Sequence, residues 1–166
     1  MKKKIILMLV MPLVALAFAQ NAKAQKTSTG AFYSSETECT SVEYDGSMTL
    51  RVWGTGKNRS DAIEQAKKQA IWDMLFVGIK KGPAKFDMRP MLLEANAHEN
   101  HEDYFNRFFR DGGDYKKFIS LKDEKAGTRS KEKTGSEVKY GITVRVLKNE
   151  LKSKLIEDGI IKTDNK

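Results

Sequence analysis

Two histidines, His98 and His101, stand three residues apart among Glu99, Glu102 and Asp103. On a helix that spacing puts both imidazoles on one face, where two ligands could reach one zinc ion. A closed site needs further ligands, and acids at the start of a helix are equally explained by the helix dipole. A zinc-protease helix needs glutamate beside the first histidine and a second histidine four residues on, where this chain has Glu102. His98 and His101 are therefore weak metal candidates.

Gly54-Thr55-Gly56-Lys57 lies between a predicted strand and a predicted helix, the setting in which glycine loops cradle phosphates. A phosphate-binding loop of the nucleotide type would need glycine at 51 and serine or threonine at 58, held here by Arg51 and Asn58. A dinucleotide fingerprint would need glycine at 59, held by Arg59. The glycines are expected to serve a tight strand-to-helix turn, and no cofactor is called for. No local signature pairs a serine or cysteine nucleophile with a base, so no catalytic residue is assigned.

Lys125, Arg129, Lys131 and Lys133 form the remaining constellation, a basic set that could meet an acidic protein surface or lipid headgroups. Glu124, Glu132 and Glu137 dilute it. Tyr104, Phe105, Phe108, Phe109, Tyr115 and Phe118 could line a pocket, but helical spacing makes them core. Cys39 is the only cysteine, so an internal disulfide is excluded, and strand periodicity turns it toward the core.

The elements that would hold these residues follow from periodicity. Glu38 to Tyr44 and Ser47 to Trp53 flank Asp45-Gly46, a hairpin signature; pairing across it sets Glu43 opposite Met48, Ser41 opposite Leu50 and Cys39 opposite Val52. Cys39, Met48, Leu50 and Val52 then share the core face. Asn58 or Ser60 caps a helix running to about Ile79, with Ala62, Ala66, Ala70 and Met74 as a small-residue column and a second half buried nearly all round. Gly78 and Gly82-Pro83 stop it.

Arg89-Pro90 forces an extended crossing, and Glu94 to Arg110 is expected to form one further helix. Lys122 to Glu137 has no large apolar residue and predicts a charged hairpin turning near Thr134-Gly135. Val138, Tyr140, Ile142, Val144 and Val146 alternate with polar positions, the pattern of an antiparallel strand with one buried face. A last helix runs from about Lys148 to Glu157. The fold class is α+β: an antiparallel sheet of about four strands with helices packed mainly on one face.

The first 24 residues are organised differently. Three lysines precede an apolar run from Ile5 to Ala19, broken by Pro12 and too short to span a bilayer, and Ala22-Lys23-Ala24 offers a cleavage site. Residues 1–24 are expected to be a signal peptide cleaved near Ala24, 25–36 a flexible leader, 37–162 one α+β domain and 163–166 a polar tail. No transmembrane segment would remain. The formal charge of +8 falls to +4 on cleavage, because four lysines and no acids are removed. So small an excess builds no stripe for a phosphate backbone, which argues against nucleic acid as a partner.

Leu50-Arg51-Val52-Trp53-Gly54-Thr55-Gly56, with Asp61-Ala62 and the alanines at 66 and 70, resembles a strand, glycine pair and alanine-rich helix known from envelope proteins. They are the N-terminal domain of the flagellar periplasmic protein FlgT and related small surface lipoproteins. The likeness spans about residues 48–80. It implies a compact α+β envelope module that supports assembly of a larger complex and has no catalytic residues to carry over. The anchoring cysteine of the lipoproteins is missing.

Together these features predict a periplasmic or secreted, non-catalytic accessory protein that meets an envelope protein partner. The alternative is a ligand-binding or hydrolytic protein acting on an envelope component, metal-assisted through His98 and His101.

Overall fold

The computed structural model describes residues 37–83, 86, 88–124 and 129–162. The signal-peptide, leader and polar-tail assignments, and Lys125, lie outside these residues. The chain folds as β1 (Glu38–Val42), β2 (Met48–Gly56), α1 (Arg59–Trp72), α2 (Ala97–Asn100), α3 (Glu102–Phe109), β3 (Ile119–Ser120), β4 (Ser130–Thr134), β5 (Glu137–Val146) and α4 (Lys148–Glu157). It is an α+β fold. The sheet is antiparallel with order β1-β2-β5-β3, and β4 joins the same side of β5 as a fifth strand.

The alternation that defines β5 is what makes it central. Met48 pairs with Val146, Leu50 with Val144 and Val52 with Ile142, and all six are buried on one face. Ala66 and Ala70 of α1, Phe105 and Phe108 of α3, and Leu151 and Leu155 of α4 complete that core, and Ala62 is buried as well. The close approach of α1 requires Gly54 and Gly56, because a Cβ on either would collide with the backbone at Ala62, and at Gly54 also with Ala66. Neither glycine has positive φ, and both are paired residues of β2 rather than parts of the expected turn, so what matters is their missing side chains and not their conformational freedom.

The first hairpin departs from the expected register. Val42 pairs with Met48, Ser41 with Thr49 and Cys39 with Leu50, with a bulge at Thr40. The connection is longer than two residues: the Glu43 N–H donates to the Ser47 carbonyl and the Gly46 N–H to the Glu43 carbonyl, with Gly46 at φ +80°. A one-residue shift would have turned Cys39 outward, but the extra residue at the bulge restores the alternation and leaves its thiol buried.

α1 starts on Asn58, whose side chain accepts from the Asp61 N–H, and gives way at Asp73 to a wider π-helical turn, Asp73–Val77, before Gly78 at φ +80° ends it. Val77 is exposed, but the rest of the second half, from Gln69 to Ile79, is buried or half-buried, so it is buried nearly all round. The single helix expected over Glu94 to Arg110 is two helices broken at His101, which takes φ −124° and ψ 34°. Glu94 and Asn96 stay outside: Asn100 Nδ2 donates to Glu94 Oε1 at 2.7 Å, and Asn96 turns left-handed at φ 56°.

Candidate functional site

β4 and β5 form the charged hairpin, joined by Gly135 and Ser136, with Gly135 at φ +62° as a tight turn requires. Pairings run from Thr134 with Glu137 to Ser130 with Gly141. Alternation sends Lys131 to the side of Tyr140 and Glu132 to the side of Lys139. Lys131 Nζ lies 6.0 Å from the Tyr140 ring centre, and Arg59 Cζ lies 5.8 Å from the same ring.

The opposite side of the sheet carries a row of polar and charged residues. There Arg51 Nη2 donates to Ser130 Oγ at 3.1 Å, and Lys139 Nζ sits 3.7 Å from Glu132 and 4.9 Å from the Trp53 ring centre. The Trp53 indole covers Gly141, which is buried although it lies on the wetter face. Further along the same face Arg145 pairs with Asp123 and stands 3.9 Å from Glu43. A shallow depression of about 390 Å³ opens there between Thr40, Glu43, Thr49, Thr143 and Arg145.

Of the basic candidates, Arg129 is bound to Glu124 rather than extended, and that contact raises the Arg129 guanidinium above its ordinary value. The other Glu124 oxygen is buried without a hydrogen-bond partner among the described residues. Lys131 is exposed, and Lys133 occupies its expected strand position, its side chain lying outside the described set. The hairpin thus brings together Arg129, Lys131 and Lys133 on one strand and its lead-in.

The histidines serve elsewhere. The His98 ring is 4.9 Å from Trp72, 5.7 Å from Phe76 and 5.9 Å from Phe105, centre to centre, inside an aromatic cluster. His101 Nε2 lies 3.9 Å from Glu94. Among the described residues no group of three or more His, Cys, Asp or Glu side chains could hold a metal ion. Just past Gly56 the chain is held by a carboxylate of α1, since the Lys57 N–H donates to Asp61 Oδ2 at 2.9 Å.

Three side-chain carboxylates, Glu64, Asp158 and Asp73, take hydrogen bonds that were beyond the reach of sequence patterns. Tyr115, fully buried, donates its hydroxyl to Glu64. Burial works to raise the Glu64 carboxyl, but hydrogen bonds from Tyr115, Lys116 and Lys67 outweigh it and hold the group down at about 2. Burial and the Glu64 contact push the Tyr115 phenol up. Tyr104 donates to Asp158 Oδ2 at 2.7 Å, and burial followed by that bond raises its phenol too. Asp73, in the π-helical turn, accepts from Thr37 Oγ1 and from Gln69 Nε2. The partners in these four contacts stand 4 to 54 positions apart, and only the tyrosines' place in an apolar run hinted that a hydroxyl would need a partner.

No helix of the described residues is long and apolar enough to cross a membrane. No family model, curated protein or solved structure matches the chain.

Proposed function

We propose that this chain is an exported, non-catalytic accessory protein of the cell envelope, working by contact with a partner protein through the hairpin of β4 and β5. The observation that carries the reading is the state of the sheet's two borders. β1 is bonded at one point on its outer side, where the Cys39 N–H donates to the Lys81 carbonyl at 2.8 Å, whereas β4 pairs with β5 alone among the described strands. An open strand edge is a ready template for another chain, and proteins usually cover or blunt it. Export rests on the pattern of residues 1–24, and the likeness over residues 48–80 points to the same compartment.

A photo-crosslinking residue placed at Arg129 or Lys131 in intact cells tests this. A discrete adduct with one envelope protein is expected, and with the probe at Arg129 it should be lost when residues 130–136 are replaced by a short glycine turn. Unchanged adducts after that replacement, or a native protein that still begins at Met1 and fractionates with the cytosol, would overturn it.

A further inference from the structure

The way in which β4 is paired says what its open edge can accept. In an antiparallel ladder, alternate residues direct both main-chain groups at one neighbour. A two-residue turn closes on a hydrogen-bonded pair, here Thr134 with Glu137, so Glu132 with Lys139 and Ser130 with Gly141 follow as bonded pairs. The Leu147 N–H donates to the Phe118 carbonyl at 2.9 Å on this same side of β5, which confirms that its odd-numbered positions face β3 and β4. Lys131 and Lys133 are then the strand positions whose N–H and C=O point away from the sheet.

We infer that this edge binds an extended segment of a different protein by strand addition, and that the segment carries acidic residues at alternate positions facing Lys131 and Lys133. This rests on the hairpin being the partner-binding element. A second copy of the chain is disfavoured by its own charges. Antiparallel self-pairing must set an outward residue against an outward residue, and every such pairing within the strand places lysine opposite lysine. Like charges directly opposite destabilise a pair, and opposite charges stabilise it. Arg59, on the Tyr140 side with Lys131, adds a further cation beside the edge. On the other side Glu132 is engaged by Lys139 and Ser130 by Arg51, so that side is closer to neutral. The occupant is thus selected by main-chain bonds for extension and by one face of the strand for acidity.

The test titrates the full exported chain at low salt with three capped peptides: alternating threonine and glutamate, alternating threonine and lysine, and alternating proline and glutamate. The threonine–glutamate peptide is expected to bind at least about tenfold more tightly than either other. It should also slow hydrogen exchange at the Lys131 and Lys133 amides. Lys131→Pro removes one outward N–H and leaves the β5 ladder intact, so binding should be lost; Lys131→Glu keeps the backbone and should weaken binding by a similar factor. Equal binding of the two glutamate peptides would mean attraction by charge alone and would overturn strand addition. No binding of any peptide, or a concentration-dependent dimer abolished by Lys131→Pro, would overturn it as well. If the peptides fail while in-cell adducts at Arg129 and Lys131 persist, the partner-binding reading stands and only strand addition falls; loss of both removes both.

Discussion

The indole of Trp53 lies across Gly141 on the neighbouring strand, with three ring carbons 2.9 to 3.0 Å from where a Cβ would stand. The ring covers backbone that a glycine in a strand leaves bare, and it excludes any larger residue there. Gly141→Ala should cost about 1–3 kcal/mol, because the ring must shift off a packed surface. Combined with Trp53→Ala, that penalty should largely disappear, giving a non-additive cycle in urea unfolding. Additive losses would mean that the ring does not set the requirement for glycine.

Gly54 and Gly135 should respond to alanine for different reasons. At Gly54 a Cβ would run into the Ala62 and Ala66 backbone, which cannot move without displacing α1. Overpacking at such a point should cost about 3 kcal/mol or more. At Gly135 nothing lies within 4 Å, and only its φ of +62° opposes a side chain, so about 1 kcal/mol is expected. Thermal unfolding of the two variants ranks them.

Acid should act through Glu64. Its folded value, about 2, lies below its ordinary 4.5, so the stability it contributes is fully present above about pH 4.5 and is lost as pH falls toward 2. The side chain is 23% exposed, and the contribution is on the order of 2 kcal/mol. Glu64→Gln should be less stable than the parent at pH 6 and show a flatter decline between pH 4.5 and 2. Parallel pH profiles of parent and variant would contradict the assignment.

His98 is predicted to act as an aromatic filler. His98→Phe should keep most of the stability, while His98→Ala should lose about 1–3 kcal/mol by opening a gap between Trp72, Phe76 and Phe105. Dialysis against a chelator should leave the melting temperature of the parent unchanged. A melting temperature that drops with chelator and returns with zinc would restore the metal reading.

What the sequence made legible was governed by repetition. Alternation over Val138 to Val146 and the alanine column of α1 repeat a signal several times, and both elements stand where the spacing put them. Single-residue events carry no such redundancy. The bulge at Thr40, the π-helical turn at Asp73 and the break at His101 stand beside contacts that no periodic pattern displays: the Lys81 carbonyl beside β1, Thr37 against Asp73, and Glu94 against Asn100. The charged hairpin was visible from its lack of apolar residues, but which of its main-chain groups face outward depends on the turn length and on the pairing of β5. Neither can be taken from charge composition.

β5 binds β2 on one side and β3 and β4 on the other, and it spans Glu137–Val146 of a 166-residue chain. β2, made some eighty residues earlier, has only the short β1 beside it until then. Contacts this distant in sequence delay folding, since a long loop must close before any of them forms. The nascent polypeptide therefore has no finished sheet until β5 has been made. The position of one strand thus sets how long the growing polypeptide goes without its core sheet.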